Sequence, residues 1–500
     1  MSYLFCKAAL LAGAAAAPLL ASCASADDRL PAPLLDRDFH FNSAPGAALV
    51  SLGRDLFFDP ILSGNKNISC GTCHDPARGT GDGLALGIGE GGTGFGSARR
   101  TNDGVTGRVP RNAQPLYNIG ARSYRTMFHD GRLEPDPQNT FRSGFWSPAR
   151  EDLPAGLATL LAAQAMFPVL SPVEMAGQKG ENPVATAVAE DRKADAWSIL
   201  AGRLAATPGY AARFLAAFGD VDTPQDIRFT HAATALAAFQ TVAFRSDESP
   251  FDKALRARDI SLMGEGAARG WALFSGKAGC TRCHSGPLLT DHAFHAIGLP
   301  QIGPGKGHGR DTSYWRKSGF KARLEDEGRY RVTFERRDMF RFRTPSLRNV
   351  ALTGPWGHSG AFNTLEGVVR HHLDALASLE SYTPAELPPL EDVIEQTGEG
   401  SRLIFRPLNP ARRSAFDARD GFVQASPALR GRIAAANALA PVELSDEDVS
   451  DLLAFLHALT DPTAENRSDL IPASVPSGMP PQPNPPGQRI GSGETSPVVR

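Results

Sequence analysis

The sequence has no excess of basic residues, very few cysteines and almost no strand-like alternation. Fifty-two Lys and Arg face 54 Asp and Glu, for a formal charge of −2 and a pI near 6.6. A nucleic-acid-binding surface would leave a basic footprint, so no nucleic-acid partner is expected. No segment after the N-terminal one approaches the roughly 18 uninterrupted apolar residues of a membrane span. Period-two alternation is confined to one short candidate strand around Tyr330 to Phe334, which argues against an all-β fold. Only six cysteines occur in 500 residues.

What is present is an ordinary globular composition, 42% apolar, in a chain too long for a single core, so two or more domains are expected. Residues 1–26 read as an export signal: Lys7, an apolar stretch from Ala8 to Leu20, then small residues. Two processing routes are open. "LASC" ending at Cys23 resembles a lipoprotein box and implies a lipid anchor, whereas "ASA" before Asp27 resembles an ordinary cleavage site. The expected location is periplasmic, with a membrane-anchored lipoprotein as the variant, and Cys6 is lost on either route.

Four cysteines remain, as "CGTCH" (Cys70, Cys73, His74) and "CTRCH" (Cys280, Cys283, His284). Two close pairs of thiols in an oxidising compartment need a reason not to be plain disulfides. A four-cysteine zinc site would join pairs more than two hundred residues apart and leave the histidines idle. A thioredoxin-like pair explains the spacing and again not the histidine. Covalent c-type haem attachment uses every residue, with two thioethers on the porphyrin and the adjacent His as the proximal iron ligand. With 12 histidines in 500 residues, a His behind both pairs by accident has a probability of roughly one in two thousand. Two haem c groups are therefore expected.

Gly-x-x-Leu-Phe precedes each motif, as Gly53 to Phe57 and Gly270 to Phe274, a weak internal repeat. Helices are expected over Leu153 to Phe167, Val184 to Ala206, Ile227 to Phe244 and Asp446 to Leu459, where apolar residues recur at spacings of three and four. The fold class is mainly α: two cytochrome c-like haem domains packed together, with long irregular loops at Gly79 to Gly107 and Gly298 to Gly319. Turn chemistry in "GDVDTPQD" places the boundary near Thr223. The expected division is 27–222 for the N-terminal domain, 223–463 for the C-terminal domain, and a Pro-, Gly- and Ser-rich mobile tail over 464–500.

After His74 no histidine occurs until His129, so the first haem should keep an open face. In "TLEGVVRHHLDAL" one helix face carries Leu365, Val368, Val369, His372 and Leu376, while Arg370, His371 and Asp374 point elsewhere. A histidine on an apolar face is more often structural than functional. Beside an iron that needs a sixth ligand, His372 becomes the leading candidate and Met339 the alternative.

The segments "LGRDLFFDPILSGNKNISCGTCHDP", "FHDGR", "PVLSPVEMAG" and "FRTPSLRNVALTGPWGHSGAFNTLEGVV", with the second "CTRCH", resemble in order the bacterial di-haem cytochrome c peroxidase family, which includes the MauG-type enzymes. The resemblance runs from about Leu52 to Leu459. It implies that hydrogen peroxide reacts at the first haem and that the second is the reservoir or point of arrival for electrons from a small periplasmic donor, a cytochrome c or a cupredoxin. Glu174 and Gln164 match the family's acid-base glutamate and the glutamine ten residues before it. Ser171 to Glu174 also reads as a helix capping box, a purely structural role. Asn112, with Thr353 and Pro355 contributing backbone carbonyls, matches the family's interdomain Ca²⁺ site.

Three departures from the family pattern stand out. The loop after His74 lacks the histidine that closes the resting site in peroxidases needing reductive activation. His129 stands where many members have a tryptophan in "F-x-D-G-R". His372 replaces the methionine of peroxidases and the tyrosine of the MauG type, and a bis-histidine iron sits at lower potential than a His/Met one. The expected activity is peroxide reduction of the cytochrome-c peroxidase type. The alternatives are a MauG-like oxidase acting on a side chain of a protein substrate and a non-catalytic di-haem electron carrier.

Overall fold

A computed structural model describes residues 30–100, 108–303, 325–383, 392–396, 402–406 and 422–484. The export segment with Cys23, and most of the second Gly-rich stretch, lie outside the described residues. Within them the chain is mainly helical. Strand is limited to three two-stranded antiparallel pairs: Glu134–Pro135 with Phe145–Trp146, Phe294–His295 with Phe342–Arg343, and Asp392–Gln396 with Arg402–Arg406.

The Gly-x-x-Leu-Phe repeat marks a helix crossing in each half. In Ala47–Phe58, Leu52, Leu56, Phe57 and Phe58 are buried. The helix crosses Phe229–Ala243 at Gly53, where an added Cβ would lie 1.9 Å from the Ala235 carbonyl oxygen. Glu265–Ser275 crosses Asp446–Ala458 in the same way at Gly270, with an added Cβ 2.0 Å from the Asp451 carbonyl oxygen. Only glycine lets two helix backbones approach this closely.

This crossing bears on the helix that follows the turn near Thr223. Phe229, Ala235, Phe239 and Phe244 belong to the first core, together with Leu52, Phe57 and Trp197. Phe251, Trp271, Phe274 and Phe455 open the second. The helix after the turn is thus the packing partner of the first repeat's helix.

Other expectations change in detail. The helix expected over Val184 to Ala206 is two, Pro183–Ala189 and Lys193–Ala205, broken where Asp191 takes a φ of 61°. Of Leu153 to Phe167 only Leu160–Ala165 is helical, capped by the Thr159 side chain, which accepts from the Ala162 N–H at 3.0 Å. The candidate strand is a helical turn, Tyr330–Thr333, because Phe334 donates back to the Tyr330 carbonyl at 2.8 Å.

The tail expected to be mobile from residue 464 is packed as far as the described residues reach. Tyr117 donates its hydroxyl to the Ala464 carbonyl (3.0 Å), and Ser477 donates to buried Asp59 (2.8 Å). The Gln482 N–H donates to the Phe58 carbonyl (2.8 Å). This strap runs from the second half back over the first.

A buried ion cluster joins the halves at a second place. Arg111 pairs with Asp130 at 2.7 Å and with Asp326 at 2.6 Å, all three buried. Removing one partner of such a group leaves an uncompensated charge and costs about 3–5 kcal/mol.

Candidate functional site

Each Cys-x-x-Cys pair lies on a single turn whose geometry aims the next residue. Ser69 opens Cys70–Cys73, with its N–H donating to Thr72 Oγ1 at 3.1 Å, and the His74 N–H closes the turn on the Cys70 carbonyl at 3.0 Å. The second turn repeats this, the His284 N–H donating to the Cys280 carbonyl at 2.9 Å. All four thiols are free. Burial pushes Cys70, Cys73 and Cys280 up to about 12.

The two histidines are held in one tautomer by backbone alone. A carbonyl can only accept, so His74 Nδ1 donates to Thr80 O (3.1 Å) and His284 Nδ1 to Leu289 O (3.0 Å). Each Nε2 is left as a bare lone pair, the form in which imidazole binds a metal. Burial lowers the basicity of both rings, bringing His284 down to about 4.

His74, Cys70 and Cys73 line a cavity shared with Gln164 and Glu174, whose other walls include Phe57, Leu62, Ile68 and Leu236. Gln164 comes from the capped helix Leu160–Ala165, Glu174 from the short π turn Pro172–Ala176. Ser171 makes no side-chain cap there, so the capping-box reading of Glu174 does not hold. The glycines of the following loop have a local purpose. A Cβ on Gly89 would sit 2.0 Å from the Val173 carbonyl oxygen, and the Glu90 N–H donates to that carbonyl at 3.1 Å, clamping the Glu174 segment to the loop.

At the second centre the His284 and His372 ring centroids lie 6.3 Å apart. His372 Nδ1 donates to Val368 O at 2.7 Å, so its Nε2 is bare as well. Two imidazole nitrogens each about 2.0 Å from a shared metal, with about 1 Å from nitrogen to ring centre, give a separation of about 6 Å. His371 differs: fully buried, it donates Nε2 to the Ile297 carbonyl (2.8 Å) while Nδ1 meets Ser378 Oγ (3.0 Å). Met339 packs in a separate cluster with Phe340, Leu379, Val423 and Ile433.

The proposed calcium ligands are not drawn together by any hydrogen bond among the described residues. Asn112 points its amide nitrogen at the carbonyls of Leu84 (2.8 Å) and Ala85 (3.3 Å), whereas the Thr353 hydroxyl donates to Val350 O (3.1 Å). Pro355 is buried in the following turn. His129 donates Nε2 to the Asn112 carbonyl (3.1 Å), and burial, then Arg111, brings it down to about 3.

Sequence reasoning missed the buried charges here. Arg111 and Asp326 are 215 residues apart, and nothing local signals their pairing. Arg343 is buried too, its guanidinium hydrogen-bonding the Tyr124 hydroxyl and lying 3.3–3.4 Å from the oxygens of Phe128, Thr344 and Gln114.

The comparisons agree with this geometry. A family model described as di-haem cytochrome c peroxidase matches residues 47–259. The chain is 34% identical over 325 residues to the methylamine utilization protein MauG of Methylorubrum extorquens, covering 65% of this chain and 68% of that one. It is 34% identical over 362 residues to the cytochrome-c peroxidase IdrP1 of Denitromonas iodatirespirans, covering 70% and 79%. The chain belongs to the di-haem cytochrome c peroxidase and MauG family. Solved structures share the fold: a MauG-like protein associated with microbial copper homeostasis has a TM-score of 0.52 at 24% identity, covering 87% of this chain and 95% of that one. A variant of the diheme peroxidase BthA from Burkholderia thailandensis has a TM-score of 0.50 at 22% identity, covering 87% and 90%.

As a di-haem peroxidase family member the chain is an oxidoreductase of the cytochrome-c peroxidase type, and the family implies two haem c groups. The residues fit them: two turns with free thiols, two bare Nε2 lone pairs beside them, and an opposing bare imidazole at the second. They do not fit a shared zinc. Among the described residues, the only three His, Cys, Asp or Glu side chains close enough to share an ion are Cys283, Asp291 and His295. No described helix is long and apolar enough to cross a membrane.

Proposed function

We propose that this protein reduces hydrogen peroxide to water in the His74 cavity, with electrons delivered through the second centre from a small periplasmic cytochrome c or cupredoxin. Cys70 and Cys73 would hold one haem c with His74 as its proximal ligand. Cys280 and Cys283 would hold the other, with His284 and His372 as the residues that would bind its iron. Bound there, a haem supplies the iron at which the O–O bond is cleaved by two electrons. The observation that carries this reading is that Gln164 and Glu174 line the same cavity as His74. Gln164 holds peroxide by hydrogen bonds from its amide. Glu174 takes the proton from the inner oxygen and returns it to the outer one, so that the departing oxygen leaves as water. The apolar wall of Phe57, Leu62, Ile68 and Leu236 limits bulk water around them.

The periplasmic location rests on the export signal, and Asn112, Thr353 and Pro355 are kept as the calcium proposal on the family pattern alone. A second reading, oxidation of a side chain on a partner protein, is favoured by His372. With two imidazoles on the second iron the ferrous state is less favoured than with a thioether, and such a centre gives up electrons more readily.

The test is low-temperature EPR of the ferric holoprotein followed by peroxide turnover. One high-spin and one low-spin bis-histidine haem are expected. Glu174→Gln should slow the reaction with peroxide by about 10²–10⁴-fold without changing the resting spectrum. Two low-spin haems and no reaction with peroxide would instead support an electron carrier.

A further inference from the structure

Reducing one hydrogen peroxide to two waters breaks the O–O bond and consumes two electrons and two protons. The transfer assigned to Glu174 moves a proton already on the peroxide from one oxygen to the other and adds none. Both protons of the net reaction must therefore reach the cavity from elsewhere. We propose that Asp82 is the second carboxyl of this cavity and hands protons from outside to Glu174. The proposal rests on the reading of the first centre as the peroxide site.

Asp82 is 1% exposed and lines the same cavity as Gln164 and Glu174. Its Oδ1 accepts the Leu84 N–H at 3.0 Å, whereas Oδ2 is buried and has no hydrogen-bond partner. The space beside Oδ2 exists because residue 87 is glycine, where an added Cβ would lie 2.9 Å from that oxygen. The cation acting on Asp82 is Arg99, and it directs its guanidinium to the carbonyls of Ile88, Gly89 and Gly94 instead. A buried carboxyl oxygen with no donor facing it is the place where a proton binds. Burial accordingly pushes Asp82 up to about 6.

The location also suits a relay. Asp82 and Glu174 both raise the Cys73 thiol through their charge, so both carboxyls lie in its neighbourhood. The other titratable groups lining the cavity are Cys70, His74, Arg111, His129 and Arg132. Among those lining residues Asp82 and Glu174 are the two carboxylic acids. Asp82 is a positioning residue in the sense that it acts through Glu174.

The variants are Asp82→Asn, whose side-chain oxygen still accepts the Leu84 N–H and so keeps the turn, and Asp82→Glu. In the holoprotein, steady-state reduction of peroxide by a supplied electron donor, the stage that takes up the two external protons, should be fast below pH 6 and slow as pH rises through that value. Asp82→Asn should be about 10²-fold slower at pH 6, with a flat profile between pH 5 and 7, and Asp82→Glu should restore the slope. A readout independent of turnover is the infrared difference spectrum of the resting protein. A protonated-carboxyl C=O band should titrate near pH 6 in the wild type and be missing in Asp82→Asn. A reactive wild type with an unchanged rate and pH profile in Asp82→Asn overturns the relay alone, as does an infrared titration that the substitution leaves unaltered. A wild type inert to peroxide overturns the peroxide reading and the relay with it.

Discussion

His371 and His372 are neighbours in sequence and opposites in chemistry. Helical periodicity put His372 on the apolar face and His371 elsewhere, yet it is His371 that is fully buried and His372 that is half-buried. The difference lies in which nitrogen is occupied. Nε2 of His371 is spent on the Ile297 carbonyl, whereas His372 binds backbone through Nδ1. No sequence pattern distinguishes these, since the partner of His371 lies 74 residues away. His372→Met should keep the second haem low-spin and raise its reduction potential, measured by spectroelectrochemistry, because a thioether favours the ferrous state. His371→Leu should leave the EPR spectrum unchanged and destabilise the fold by about 1–3 kcal/mol through unpaired groups at Ile297 and Ser378. An altered low-spin signal in His371→Leu, with none in His372→Met, would reverse the assignment.

At the scale of elements, the repeat before each Cys-x-x-Cys-His motif was visible in the sequence, but its purpose was not. Gly53 and Gly270 read as incidental until the partner helices are seen to come from residues 229–243 and 446–458. Helix existence followed well from spacing at Ile227 to Phe244 and Asp446 to Leu459. It failed where a cap starts the helix late, as at Leu153 to Leu160, with Thr159 capping the first turn. Turn chemistry at Thr223 signals a turn and says nothing about which core the next helix joins. Gly53→Ala and Gly270→Ala should each cost about 1–3 kcal/mol, as overpacking does, measured as a lower midpoint in guanidinium unfolding of the holoprotein. Gly219→Ala, with open space around it, serves as the control and should stay within about 0.5 kcal/mol.

For the whole molecule, the junction between the halves is sensitive to acid. Arg111 holds Asp326 well below the usual carboxylate range, while burial brings His358 down to about 4 and His129 to about 3. In the unfolded chain a carboxyl titrates near 4 and an imidazole near 6.5. Between pH 6.5 and 4 the unfolded chain therefore takes up protons at these histidines that the folded chain refuses, and stability falls with pH. The carboxylate contribution is complete above about pH 4 and is lost as pH falls further toward the folded value of Asp326. Thermal midpoints should be level above pH 7, decline from 6.5 to 4 and drop faster below. A midpoint constant down to pH 4 would exclude the imidazole contribution.

The strap over residues 462–484 has a consequence for how the protein is made. Gln482 receives the Ser69 hydroxyl on its carbonyl (2.8 Å) and the Thr72 hydroxyl on its side-chain oxygen (2.9 Å), and a Cβ on Gly71 would meet its backbone. The stretch around Gln482, 413 residues downstream of Ser69, thus closes over a turn translated before it. With a prosthetic group joined to Cys70 and Cys73, the attachment machinery must work on this turn before the strap docks, and a polypeptide that closes early is shut to it. Among the described residues the Cys280–Arg282 turn carries no such strap, its Arg282 being exposed, so the segment around Gln482 sets a deadline for maturation of the first centre alone.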